Sequence, residues 1–215
     1  FSATLDDRLI SEILVRRALH RFVSTNLVSR EEQAMPKGRE TRDHDAKAQI
    51  ARLADAQKLL LRAQHESGAS RSNLLAEAHV LCTEVLWDGQ GEPFAEAVVL
   101  FSRILYEKGE AKVSLRLLQC NVEILAAEGE PMRARGTPAE DTAIYQARMF
   151  LGRVYEKDGN ASLREGRLDE ASRWLHLSLT NYNQAAGFAG ATNASDARVK
   201  YEEIRSVVTT LGAKK

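Results

Sequence analysis

Five histidines, His20, His44, His65, His79 and His176, are the residues best suited to bind a metal or move a proton near neutral pH. A helix offers two ligands on one face only when they stand three or four residues apart, and no pair of these does. Asp43-His44-Asp45 sets three ligating side chains in a row, but adjacent helical residues point in different directions. That triplet reads as a solvated helix start. The two cysteines, Cys82 and Cys120, form no CxxC, so zinc-site spacing is missing. Both lie in apolar helical runs and read as buried, reduced thiols. The GxxxxGK[ST] phosphate cradle and the GxSxG nucleophile elbow are also absent from the sequence. The residues therefore nominate no catalytic, cofactor-binding or metal-binding group, and the expectation is a protein that is not an enzyme.

What would position such side chains is helix. The chain of 215 residues holds only 4 prolines and 13 glycines and is rich in Ala, Leu, Glu and Arg, which favours helices over sheets. Lys and Arg together number 30, as do Asp and Glu, so the basic excess typical of nucleic-acid binders is missing. No apolar run approaches the roughly 20 residues that span a bilayer, so any membrane association is expected to be peripheral and through partners. The opening Phe1-Ser2 resembles a mitochondrial protein whose presequence has been cleaved. It raises the expectation of a mitochondrial location on the matrix side, with the cytoplasm as the alternative.

Apolar periodicity predicts eight helices. The first runs over 5–27, with Leu5, Leu9 and Ile13 on one face, and is followed by the polar linker SREEQAMPKGRE. Residues 1–40 are thus an N-terminal helix and linker, expected to reach a partner. Residues 41–215 form a helical-repeat domain. Thr41 is the expected cap of the second helix. Gly68, Gly109 and Gly166 mark turns, and Thr137-Pro138 opens the sixth helix. Ser195 is the expected cap of the eighth, after a GFAGATNAS loop. Short turns make successive helices antiparallel neighbours.

Leu151-Gly152-x-x-Tyr155, followed by Gly166, Ala171 and Leu175, resembles the two halves of a tetratricopeptide repeat. The KDGNASL segment departs from that pattern and is expected to lengthen the turn. Phe101-Ser102-x-x-Leu105 with Gly109, Ser114 and Leu118 is a fainter copy. The resemblance covers roughly residues 74–186. It implies an all-α fold of antiparallel helical hairpins stacked as a short α-solenoid, with the last helix as its cap. In the repeat domains that grip a terminal carboxylate, Asn follows the small residue. Here Arg103 and Arg153 stand there instead, so that clamp is not expected. The two arginines, with Trp87, Arg16 and Arg17, are the candidate partner-contacting residues.

Three functions compete for such a chain. A scaffold or accessory subunit of a large mitochondrial assembly, the ATP synthase or a respiratory complex, fits best, and its partners would be other protein subunits. An organellar RNA-binding helical repeat is the alternative, opposed by the zero net charge. An enzyme would need a convergent site that the spacing does not supply.

Overall fold

A computed structural model describes the backbone of residues 39–88, 92–127, 138–188 and 191–212. These residues hold seven helices and no strand. They are α1 (Arg39–Ala63), α2 (Gly68–Asp88), α3 (Glu92–Glu107), α4 (Ala111–Ala127), α5 (Pro138–Arg164), α6 (Leu168–Phe188) and α7 (Ala191–Gly212). Among the described residues the fold is all-α, and successive helices pack as neighbours within α1–α3 and within α5–α7. The helix expected over 5–27 lies outside the described residues.

Two turns follow directly from glycine. Gly109 and Gly166 have φ of 91° and 74°, a region that side chains with a Cβ rarely enter. Around Gly109, the N–H of Glu110 donates to the carbonyl of Leu105 at 2.9 Å, and Gly109 itself donates to Tyr106 at 3.0 Å. Around Gly166, Arg167 donates to Ser162 at 2.9 Å and Gly166 to Leu163 at 3.1 Å. Both are Schellman closures, which satisfy the last carbonyls of one helix and turn the chain back into the next.

Helix boundaries depart from expectation at three places. KDGNASL does not lengthen a turn: α5 runs unbroken through Gly159 to Arg164. Thr41 falls inside α1, not before it. Likewise Ser195 falls inside α7, which starts at Ala191, so the expected GFAGATNAS loop is mostly helix. Small polar residues allow a cap but do not require one, and neighbouring helices decide how far each end extends.

The chain divides into two compact units, residues 1–123 and 124–215. In the first unit α2 packs between α1 and α3, and α1 also touches α3. Ala56, Ala78 and Ala97, one from each helix, are fully buried and let the backbones approach. Leu53, Leu60, Val85, Ile104 and Leu117 fill the space between them. Arg71, at the start of α2, donates to the Glu107 carboxylate at 2.6 Å and to the Glu107 carbonyl at 3.1 Å. It thereby satisfies a carbonyl that the end of α3 leaves open.

In the second unit α6 is the middle helix, packed on α5 and on α7. Its buried face presents Leu175, Tyr182 and Ala185. Ala197 and Ile204 of α7 meet that face, and Tyr201, Val207, Val208 and Leu211 flank them. The opposite side of α7 carries Arg198, Glu202, Arg205 and Thr209, all exposed, and Val199 is its one exposed large apolar residue among those described.

Candidate functional site

The residues that suggested a repeat are packing residues. Leu151, Tyr155, Ala171 and Leu175 are each at most 4% exposed. Gly152 lies so close to Tyr182 that an added Cβ would sit 2.6 Å from the ring. Gly159 meets Leu175 the same way, at 2.7 Å. Gly166 makes the turn. The two halves of the signature are not at one level, however: Gly152 is opposite Ser178 and Tyr182, whereas Leu175 is opposite Gly159.

The hairpin register explains this. Ser114 donates its hydroxyl to the Ser102 carbonyl at 2.6 Å, and these residues stand five after and seven before Gly109. Ser178 donates to the Gly152 carbonyl at 2.9 Å, standing twelve after and fourteen before Gly166. Each arm of the second hairpin is longer by seven residues, about two helical turns. A second small pair, Gly159 and Ala171, occupies the level that Ser102 and Ser114 hold in the first hairpin.

Glu156 ties all three helices of the second unit together. Tyr182 of α6 donates its phenol to Glu156 at 2.7 Å, and Lys200 of α7 reaches the other carboxylate oxygen at 3.4 Å. Burial, then the hydrogen bond to the Glu156 carboxylate, raises the Tyr182 pKa well above the usual phenol value. Lys200 also pairs with Glu203 at 2.8 Å, the first cause of its raised pKa. Glu156 thus clasps α6 and α7 to α5 as the acceptor of both bonds.

In the first unit His79 packs against Phe101 with the rings tilted at 41° and their centroids 4.9 Å apart. Burial lowers its pKa, and the nearby Lys108 lowers it further. Burial pushes the Cys82 thiol up to about 12, so it is a poor nucleophile. Cys120 is only partly buried, not enclosed as the sequence suggested, and both thiols are free. His65 and His176 are exposed, while His20 and the side chain of His44 lie outside the described residues.

Of the candidate contact residues, Arg103 is half-buried on α3 and Arg153 is exposed on α5, in different units. The charge of Arg153 acts on Tyr145 and Tyr182, on the α5 face that carries Glu156. Arg16, Arg17 and the side chain of Trp87 lie outside the described residues.

A surface that the sequence did not single out lies on α6. Leu168, Asp169, Arg173, Trp174 and Leu177 line one open concavity beside the Gly166 turn. Leu168 and Leu177 are 45% and 43% exposed, a large fraction for leucine. Trp174 stacks on Tyr155 at 5.7 Å with an interplanar angle of 15°, and its indole N–H points to Glu170 at 3.4 Å. Arg167 is held by Glu165 at 2.6 Å and by Glu170. Arg173 has no ion pair among the described residues. The Arg-Trp-x-x-Leu spacing that brings these groups together is visible in the sequence.

Among the described residues no group of three His, Cys, Asp or Glu side chains could hold a metal ion. Also among them, no helix is long and apolar enough to cross a membrane. Compared with models of protein families, with curated proteins and with solved structures, the chain matches none.

Proposed function

We propose that the chain is a non-catalytic scaffold, a degenerate tetratricopeptide-like stack of helical hairpins that makes protein-protein contacts in a large mitochondrial assembly. The observation that carries this reading is the α6 surface: two exposed leucines beside a half-buried tryptophan and an arginine, on a helix whose other sides are covered. Aromatic and arginine side chains on an apolar concavity are the composition of a protein contact. The packing supports the same reading. The small residues Ser102, Gly152 and Gly159 are spent on holding helices close, so the interior keeps no cleft for a ligand at those crossings. The compartment, and the ATP synthase or a respiratory complex as the assembly, are carried over from the sequence.

A native-gel separation of the tagged full chain from gently solubilised mitochondria tests this, with mass spectrometry of its band. Co-migration with a membrane complex, in defined stoichiometry, is the expected result. Migration with ribosomal RNA, or as a species containing only this chain, would overturn it.

A further inference from the structure

Arg173 and Leu177 stand four residues apart on α6, so their side chains leave one face of the helix a single turn apart, about 6 Å. Trp174 adjoins them, and all three line the concavity beside the Gly166 turn. Each is left incomplete by the chain itself. Trp174 is stacked on Tyr155 over one face only. Leu177 is exposed, and so is Arg173, which has no ion pair among the described residues. We propose that this surface takes a helix of a partner protein, which sets an apolar side chain against Trp174 and Leu177 and, one turn along, an Asp or Glu carboxylate against Arg173. The proposal rests on the reading of this face as a contact surface and adds the chemistry of its occupant.

The charges decide between occupants. Arg167 lines the same concavity, but Glu165 and Glu170 already hold it, so its charge is met inside the chain. Arg173 is the cation left over there. A partner that was apolar throughout would bury it without a counter-charge, which is costly. A polyanion, such as a nucleic-acid strand or an anionic membrane surface, meets the opposite difficulty. Glu165, Asp169 and Glu170 stand in or beside the concavity and would face its phosphates. Phosphate backbones are held by several cations acting together, whereas this surface offers one guanidinium. A single carboxylate set among apolar side chains satisfies both conditions, and guanidinium takes a carboxylate through two parallel hydrogen bonds. A helix supplies the spacing, because its residues three or four apart share a face as Arg173 and Leu177 do.

The test places a photoreactive benzoylphenylalanine at Thr180 of the full chain, expressed in the cells it comes from. Thr180 is exposed, one turn beyond Leu177 and outside the concavity. Irradiation and mass spectrometry of the crosslinked peptides then read the occupant. The expected result is a segment of another protein with an Asp or Glu three or four residues from an apolar residue at the crosslink. Arg173→Glu should cut the yield on the order of tenfold, because it sets like charges opposite one another. Arg198→Glu, at an exposed arginine of α7, should leave the yield unchanged. Changing the located carboxylate of the partner to Lys should restore the yield to Arg173→Glu, and circular dichroism checks that each variant is folded. The proposal is overturned by a yield no higher than without irradiation, by a crosslinked segment lacking such a carboxylate, or by a crosslink to RNA or to a second copy of this chain. A yield indifferent to Arg173→Glu overturns it too, as does a failed rescue. If any of these accompanies co-migration with a membrane complex, the scaffold reading stands and this occupant is removed; the expected crosslink from a chain that does not co-migrate would do the reverse.

Discussion

The hydroxyl of Ser178 donates to the carbonyl oxygen of Gly152 across 2.9 Å, joining α6 to α5 at a point where neither residue reaches solvent. The carbonyl also lies within the α5 helix, so removing the hydroxyl does not orphan it. Ser178→Ala is therefore expected to cost about 1 kcal/mol, the worth of one buried neutral hydrogen bond. Ser114→Ala, at the 2.6 Å bond to Ser102, should cost the same. Urea unfolding of the two variants checks this, and no loss in either would deny the bond a role.

Gly152→Ala should destabilise by about 1–3 kcal/mol, because its Cβ would lie 2.6 Å from a Tyr182 ring that has no room to retreat. Gly187→Ala is the contrast. It lies within α6 with nothing within 4 Å, so the helix preference for alanine should act unopposed and stabilise by about 0.5–1 kcal/mol. Thermal melts of the pair should move in opposite directions.

Glu156 should matter more than the lysine it binds. Glu156→Ala leaves the buried Tyr182 hydroxyl without its acceptor, at a cost of about 1–3 kcal/mol. Lys200→Ala removes a pair that is partly exposed, and such pairs contribute about 0–1 kcal/mol. Equal losses in denaturant unfolding would show that the α5–α7 ion pair, not the tyrosine, is the clasp.

His79 gives the fold an acid sensitivity. Its pKa in the folded chain is below the ordinary 6.5, so the unfolded chain takes up the proton first as pH falls. The contribution of neutral His79 is full above pH 6.5 and is lost as pH falls through the folded value. His79→Phe should remove this part of the stability-pH curve. An unchanged slope below pH 6.5 in the variant would assign the effect elsewhere.

The thiols should separate by rate. Partly exposed Cys120 is expected to react with a disulfide reagent in the native state, and buried Cys82 only when the first unit opens. Simultaneous loss of both thiols under native conditions would contradict the burial.

Much of this was legible in the residues. Gly109 and Gly166 mark their turns because a left-handed residue is needed there, and Pro138 opens α5 where proline costs no hydrogen bond. The continuation of α5 through Asp158-Gly159 was illegible for a physical reason. Glycine lowers local helix preference by about 1 kcal/mol, yet here Leu175 occupies the space its missing Cβ leaves. Tertiary packing reversed the local signal. One face of Trp174 is core, stacked on Tyr155, and that its neighbours Arg173 and Leu177 stay outside depends on where α5 and α7 cover α6, which spacing alone does not show.

The two extra turns in the second hairpin also say how such a chain can change size. Seven residues added to one arm and seven to the other return each small residue to the same side of its helix, displaced by about 10 Å along the axis. The turn and the meeting faces are untouched. Length in this architecture is a quantity that comes in whole steps: an arm altered by three residues would rotate Ser178 off Gly152, while one altered by a heptad on both sides keeps every partner and alters only reach.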